Sequence, residues 1–111
     1  MRRHRLFAAL IAAAAFGAVT AASAADIAQG KAKATEVCAS CHGVDGNSTS
    51  QDFPKLAGQY PDYLAKTLRD YKSGERKNAI MAGFAKPLSN QEIDNLAAYY
   101  AAQPAVLSSR H

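Results

Sequence analysis

The sequence is poor in the residues that usually stabilise a small protein from within. Of its 111 residues, two are cysteine and none is tryptophan. Two cysteines exclude a disulfide-rich scaffold and a zinc site built from four cysteines of one chain. Large aliphatic residues are scarce after residue 24. Because a lone core of about 70–80 residues or fewer rarely supplies more than ~3–5 kcal/mol, we expect another group to fill the centre of the fold.

An excess of positive charge is also lacking once the first five residues are set aside. The whole chain has 13 Lys and Arg against 9 Asp and Glu, a net charge of +4. Arg2, Arg3 and Arg5 are three of those cations, and 13 less 3 leaves 10 cations against 9 anions in residues 25–111. A nucleic-acid-binding domain needs a basic stripe on its folded surface, so this balance removes most of the support for that class.

The first 24 residues have the pattern of a secretory signal peptide. A cationic start, Met1–Arg5, precedes an apolar stretch, Leu6–Val19, and Ala22-Ser23-Ala24 has the small-x-small form of a cleavage site. The alternative is an uncleaved anchor, because the uncharged run reaches about 20 residues, although most of it is alanine. We expect residues 25–111 to form one domain that acts outside the cytoplasm, most simply in a periplasm, with no membrane span.

Helical spacing predicts three main helices in this domain. The first opens at Asp26, which with Gln29 resembles a capping box. The second starts at Pro61, a favoured first helical position. The third is capped by Ser89, and Glu92 completes the S-x-x-E pattern. The expected fold class is therefore all-α, and no segment shows the sustained alternation that is typical of strands.

The remaining segments are predicted to be irregular. Gly43–Gly58 is rich in Gly, Asn and Pro and is predicted as a loop. Glu75–Pro87 is predicted as a second irregular segment, in which one helical turn could form. Residues 105–111 are expected to be a frayed tail.

The chemistry of the chain is concentrated in Cys38-Ala39-Ser40-Cys41-His42, a C-x-x-C-H motif. This motif is the attachment site of c-type haem. Two thiols three residues apart lie on one side of a helix end, where both can form thioether bonds to the vinyl groups of one porphyrin. The histidine that follows can then reach the iron from one face.

Three other interpretations of the motif are weaker. A thioredoxin-type C-x-x-C follows a strand in a βαβ unit, which the pattern does not predict here. A zinc site needs further soft ligands, and His111 is the only other histidine after the leader. A structural disulfide between Cys38 and Cys41 closes too short a loop to contribute much.

A second axial ligand can be sought by elimination. The usual partner of histidine in cytochromes c is methionine, and Met81 is the only methionine outside the leader. Its alternative role is that of a flexible core residue, and His111 is the alternative ligand, disfavoured by its place in the tail. With both axial positions filled, substrate has no open coordination site, so the expected chemistry is electron transfer and not catalysis.

The chain resembles the class I c-type cytochromes, most closely short bacterial monohaem members and single halves of dihaem ones. The resemblance covers essentially residues 25–103. Besides the C-x-x-C-H motif, Gly30 matches the glycine of the family's N-terminal helix, and Leu96 and Tyr99 match the Leu-x-x-aromatic pattern of its C-terminal helix. It implies a cytochrome c fold, with three main helices around one covalent haem c and a close crossing of the two terminal helices. Ala34 stands where many larger relatives have an aromatic residue.

The resemblance also implies roles for three loop residues. Pro54 matches the family proline whose carbonyl accepts the proton of the axial histidine, and Leu56 lies in the same haem-contacting loop. The alternative for this loop is a plain turn with Leu56 in the core. Asn78 matches a residue near the methionine sulfur, although an exposed loop asparagine fits the sequence equally well. A single C-x-x-C-H motif excludes two haems on this chain.

The resulting functional hypothesis is a diffusible periplasmic one-electron carrier, monomeric, with transient redox partners. The second hypothesis is the electron-transfer subunit of a periplasmic dehydrogenase, and the third is a gas-binding haem sensor with a labile sixth ligand. Five cations on and after the second helix could steer docking to an acidic partner, but interleaved acids favour an ordinary solvated face: Lys66, Arg69, Lys72, Arg76 and Lys77.

Overall fold

The computed structural model describes residues 11–13, 17 and 24–106. It is helical, and no strand occurs in this part of the chain. The signal peptide expected at residues 1–24 and the last five residues of the expected tail lie almost wholly outside the described residues. The helices are α1 (Ile27–Val37), α2 (Ala39–His42), α3 (Pro61–Ser73), α4 (Ala79–Ala85) and α5 (Asn90–Ala101).

The ends of the helices follow local capping chemistry. The Asp26 side chain accepts a hydrogen bond from the Gln29 N–H at 3.0 Å and caps α1. At α5 the Ser89 hydroxyl accepts from the Glu92 N–H at 3.1 Å, and the Glu92 carboxylate accepts from the Ser89 N–H at 3.0 Å. This is the complete reciprocal capping box. Both predicted helix starts are therefore confirmed, as is the start of α3 at Pro61.

Helices α1 and α5 cross at Gly30, where their backbones come unusually close. A Cβ atom added to Gly30 would lie 2.1 Å from the carbonyl oxygen of Asn95 and 2.8 Å from the Cβ of Tyr99. Next to the crossing, the Asp26 N–H donates to the Asn95 side-chain oxygen at 2.8 Å. Only glycine fits at this position, so the close contact implied by the resemblance is present.

The core lies on one face of α5. Ile93, Leu96, Ala97 and Tyr100 lie at helical spacing on this face and are all buried, and Tyr99 is buried with them. Ala34 of α1 is fully buried against this face. Tyr99 approaches α1 directly, since its Cβ lies 2.8 Å from a Cβ built on Gly30, and both tyrosines belong to the same buried cluster as Ala34.

Helix α4 corrects the expectation for residues 75–87. A seven-residue helix, Ala79–Ala85, occupies the middle of that segment. It begins because the Asn78 side chain accepts a hydrogen bond from the Met81 N–H at 3.0 Å and so caps it. Gly83 is tolerated inside the helix, and Pro87 lies beyond its end. Met81 is therefore held on a helix and not on an irregular loop.

Of the segment expected to fray, the first two residues can be compared with the structure. The Val106 N–H donates to the Asn47 side-chain oxygen at 2.7 Å, and the Val106 carbonyl accepts from the Lys55 ammonium at 2.7 Å. The chain is thus tied to the loop after α2 as far as Val106. Among the described residues, no helix has the length and apolar character needed to cross a bilayer.

Candidate cofactor site

The C-x-x-C-H motif lies at the junction of α1 and α2. Cys38 caps the end of α1 and donates its N–H to the Ala34 carbonyl at 2.9 Å. Cys41 and His42 follow on α2, with the His42 N–H bonded to the Cys38 carbonyl at 3.0 Å. Gly43, at φ 83°, ends the helix in a conformation that side chains avoid. Both cysteines are half-buried, and no disulfide joins them.

The His42 ring is buried and fixed in one orientation. Its Nδ1 atom lies 2.8 Å from the carbonyl oxygen of Pro54. Because a carbonyl can only accept, Nδ1 carries a proton and donates, so in the neutral form of the ring the lone pair lies on Nε2. The Phe53 ring packs edge-on against the imidazole, with 6.4 Å between ring centroids. A neutral imidazole oriented in this way is the form that binds a metal.

The loop that carries Pro54 is closed by Gly46. Its carbonyl accepts from the Leu56 N–H at 2.8 Å and from the Ala57 N–H at 3.2 Å. A Cβ on Gly46 would lie 2.7 Å from the Tyr100 ring, and the residue has φ 79°. Glycine is therefore required for the loop to fold back beneath His42.

Two adjacent tyrosines of α5 hold the start of this loop. The Tyr99 hydroxyl donates to the Val44 carbonyl at 2.6 Å, and the Tyr100 hydroxyl donates to the Gly43 carbonyl at 3.3 Å. Burial raises the pKa of both phenols, so they remain neutral donors. These two hydrogen bonds connect α5, which forms the crossing with α1, to the residues that directly follow His42.

A cavity of about 330 Å³ brings together every residue that the sequence analysis assigned to the site. This volume lies at the lower end of the range for small-molecule sites, and the cavity opens to solvent. Among the side chains that line it are the six assigned ones: Cys38, Cys41, His42, Pro54, Leu56 and Met81. Leu56 also packs against the core cluster, so this residue both lines the cavity and contributes to the core.

Met81 enters this cavity from α4. It is half-buried, and its backbone is anchored through its N–H to Asn78. The Asn78 side-chain oxygen is engaged by that backbone bond, and Asn78 itself lines the cavity. The asparagine is thus the cap of the helix that carries the methionine.

Other residues of the cavity were not assigned to the site from the sequence. Tyr63, Thr67, Leu68 and Tyr71 line the cavity from one face of α3. Their helical spacing was the available signal for a shared face, although spacing does not show what the face covers. Ile80 and Phe84 of α4 are exposed for 63% and 44% of their surface and line the same cavity. Their spacing of four residues was the available signal, and it was missed because this segment was expected to be irregular.

The electrostatics of Cys38 differ from those of a reactive cysteine. Burial raises the pKa of its thiol to about 11, although Tyr100 and Lys33 act in the opposite direction. A thiol with such a pKa is neutral at physiological pH and a weak nucleophile. This argues against a thioredoxin-like role, in which the cysteine pKa is lowered.

The residues present fit a c-type haem. Two thiols, an imidazole with a free Nε2 lone pair and a thioether converge on one mainly apolar cavity, and porphyrin is the cofactor that uses all of them. Within the described ranges, no three His, Cys, Asp or Glu side chains cluster as a protein-only metal site would require.

Comparison with known proteins decides the family. The family model described as cytochrome c matches residues 27–102. The chain belongs to the cytochrome c family. It carries one haem c, bound covalently through Cys38 and Cys41, and its class is that of electron-transport haem proteins.

Several relatives of this cytochrome are close in sequence. It is 53% identical over 75 residues to cytochrome c4 of Thiocapsa roseopersicina, an alignment that covers 68% of this chain and 38% of the relative. It is 39% identical over 83 residues to cytochrome c-554(548) of Halomonas halodenitrificans, covering 72% of this chain and 99% of that protein. The chain thus spans about two-fifths of the cytochrome c4 sequence and nearly all of the shorter relative.

A solved structure shows the same fold. The reduced recombinant cytochrome c4 from Pseudomonas stutzeri superposes with a TM-score of 0.71 and 43% identity, over 76% of this chain and 48% of that one. The expected cytochrome c fold is therefore confirmed.

Proposed function

We propose that this cytochrome is a periplasmic one-electron carrier whose haem iron is bound by His42 and Met81. When bound, the haem iron alternates between the ferrous and ferric states and so holds or releases one electron. The observation that carries the proposal is the convergence of a fixed imidazole, two thiols and the only methionine of residues 25–111 on one cavity.

The chain's own residues have distinct tasks in this proposal. The Pro54 carbonyl fixes the tautomer and orientation of His42 through the 2.8 Å hydrogen bond and increases the basicity of the imidazole. Met81 offers a soft thioether, which favours the ferrous state and raises the reduction potential. Leu56, Leu68 and the α4 side chains Ile80 and Phe84 supply apolar lining to the cavity. With His42 and Met81 both holding the iron, substrate would have no site on the metal, which supports a carrier and not an enzyme.

The test is the pair Met81→Ala and Ile80→Ala, made in the haem-loaded protein. Ile80 is the matched control because it is the adjacent residue of α4 and lines the same cavity without a ligating atom. We expect Met81→Ala to lower the reduction potential and to let the ferrous protein bind carbon monoxide, whereas Ile80→Ala does neither. Wild-type spectra and potential in Met81→Ala would exclude its ligation.

Carbon monoxide binding by the wild-type ferrous protein distinguishes the carrier from a sensor. A carrier with a firm sixth ligand binds the gas only after denaturation. Ready binding to the native protein would instead support a gas-binding function.

A second candidate function is that of an electron-transfer subunit. The chain is 41% identical over 63 residues to a protein named cytochrome subunit of sulfide dehydrogenase, from Chlorobaculum tepidum. It is also 45% identical over 64 residues to a thiosulfate dehydrogenase electron acceptor of Thiomonas intermedia. A subunit would elute with a stoichiometric partner when a periplasmic extract is fractionated by size, whereas a carrier with transient partners elutes as a small monomer.

The surface of α3 supports transient and not obligate contacts. Of its five neighbouring cations, Arg69 is paired with Asp94 at 2.6 Å, Lys66 with Asp70, and Lys72 with the Leu88 carbonyl. Arg76 donates from Nε to the Tyr71 hydroxyl at 3.0 Å, so four of the five are engaged within the chain, as expected for a solvated face. The proposal includes no nucleic acid and no membrane span after removal of residues 1–24.

A further inference from the structure

The segment that follows α5 is held against the loop that carries Pro54. The Asn47 side-chain amide makes two of the contacts, because its Nδ2 donates to the Pro104 carbonyl at 2.9 Å and its Oδ1 accepts from the Val106 N–H at 2.7 Å. The Lys55 ammonium makes a third contact and donates to the Val106 carbonyl at 2.7 Å. We call residues Pro104–Val106 the C-terminal strap.

The amide of Asn47 suits this contact chemically. A primary amide donates from its nitrogen and accepts at its oxygen, so one side chain can bind the carbonyl of Pro104 and the N–H of Val106 together. Alanine at position 47 removes both hydrogen bonds. The contact is therefore specific to the side chain, which is half-buried.

Pro54 depends on its neighbours for its position. It has no N–H with which to bond to the loop, and its carbonyl lies 2.8 Å from the His42 Nδ1. Two residues further on, the Leu56 N–H donates to the Gly46 carbonyl at 2.8 Å. That carbonyl belongs to the peptide unit that joins Gly46 to Asn47.

The strap completes a closed series of hydrogen bonds around this point. Lys55, which directly follows Pro54, is bonded to the Val106 carbonyl, and the Val106 N–H is bonded to Asn47. Asn47 thus contributes to both supports of the segment after Pro54, through its peptide unit on one side and its side chain on the other. Loss of the amide opens the series and leaves the side-chain support unanchored.

We propose that Asn47 is a positioning residue for His42, and that it acts through the C-terminal strap to hold the Pro54 carbonyl against the imidazole. This inference rests on the function proposed above, in which His42 binds the haem iron. An imidazole that donates firmly from Nδ1 is a more basic ligand at Nε2 and favours the ferric state. Loss of the strap contact must therefore weaken the bond from His42 to Pro54 and shift the ferric/ferrous equilibrium towards ferrous.

The experiment compares four variants of the haem-loaded protein: Asn47→Ala, Val106→Pro, the double variant of these two, and Val106→Ala. Val106→Pro removes the N–H that Asn47 accepts and leaves the asparagine in place. Val106→Ala is the matched control, because it keeps both backbone hydrogen bonds and shortens a side chain that is exposed for 58% of its surface.

Hydrogen exchange of the His42 Nδ1 proton, followed by NMR of the ferrous protein, reports the bond to Pro54 directly. We expect exchange to be roughly three- to tenfold faster in Asn47→Ala and in Val106→Pro, which is the change that loss of an ordinary hydrogen bond makes in an opening equilibrium. The reduction potential should rise in the same two variants. Val106→Ala should keep the wild-type rate and potential, and the amide protons of α3, which report global opening, should exchange at the wild-type rate in all four variants.

The double variant separates the strap from an effect of Asn47 within its own loop. If Asn47 acts through the strap, the double variant shifts the exchange rate and the potential no further than Asn47→Ala alone. Additive shifts, an unchanged Nδ1 exchange rate in Asn47→Ala, or a shift towards ferric would overturn the proposal. Wild-type spectra without an imidazole-bound haem would instead contradict the proposed function, so the two failures are distinguishable.

Discussion

Replacing Gly30 by alanine tests the close crossing of α1 and α5. An alanine Cβ would lie 2.1 Å from the Asn95 carbonyl oxygen and 2.7 Å from its carbonyl carbon, whereas optimal carbon contacts are about 3.5–4.0 Å. The nearest atoms belong to backbone, so no rotamer change relieves the clash, and the helices must separate by about 1 Å. Overpacking costs typically ~1–3 kcal/mol. Alanine is favoured over glycine inside a helix by ~1 kcal/mol. Subtracting this gain from the upper end of the overpacking cost gives a net decrease of about 2 kcal/mol in the free energy of unfolding.

Gly83 provides the matched control for this substitution. It lies inside α4, and no atom lies within 4 Å of a Cβ built there. The same change to alanine should therefore raise the free energy of unfolding by about 0.5–1 kcal/mol. The assay is guanidinium unfolding of the haem-loaded protein followed by far-ultraviolet circular dichroism. The reasoning is refuted if Gly30→Ala is as stable as the wild type or is stabilised like Gly83→Ala.

Three further predictions concern stability. The Lys33 ammonium and the Ser89 N–H hold the pKa of Glu92 at about 2 instead of 4.5. The contribution of ionised Glu92 to the free energy of unfolding is therefore complete above about pH 4.5 and disappears as the pH falls towards 2. The difference in stability between wild type and Glu92→Gln should shrink over that range, and a difference independent of pH would contradict the pairing. Ser89→Ala should cost about 1 kcal/mol in urea unfolding and Ser89→Thr much less; equal losses would argue against the cap. Tyr99→Phe removes the 2.6 Å hydrogen bond to the Val44 carbonyl and should cost about 1 kcal/mol, and an unchanged midpoint would show that this bond does not stabilise the loop.

The sequence was sufficient where local chemistry decides the structure. Ser89 with Glu92, and Pro61 at a first helical position, act within a few residues, so the helix starts could be read without tertiary information. The C-x-x-C-H spacing likewise specifies its cofactor by itself. The Gly30 contact was available through the family resemblance, because glycine alone does not reveal which backbone approaches it.

The sequence was insufficient where contacts between distant segments decide the structure. Helix α4 is short and contains Gly83, so its propensity is weak, and its side chains Ile80 and Phe84 face a cavity formed largely by other elements. Arg76 was grouped with surface cations, because its contact with Tyr71 and its place at the cavity rim depend on how α3 ends. The positions of these cavity-lining side chains depend on packing around the haem, which is not part of the polypeptide.

The central claim is one haem held through Cys38 and Cys41, between His42 and Met81, in a chain that begins at Ala25. Mass spectrometry of protein from a periplasmic extract, with optical spectra of the oxidised and reduced forms, tests it most directly. The account predicts the mass of residues 25–111 plus one haem, a proteolytic peptide that retains haem at both cysteines, and the charge-transfer band of sulfur-bound ferric iron. A colourless protein with the mass of the bare polypeptide would contradict it.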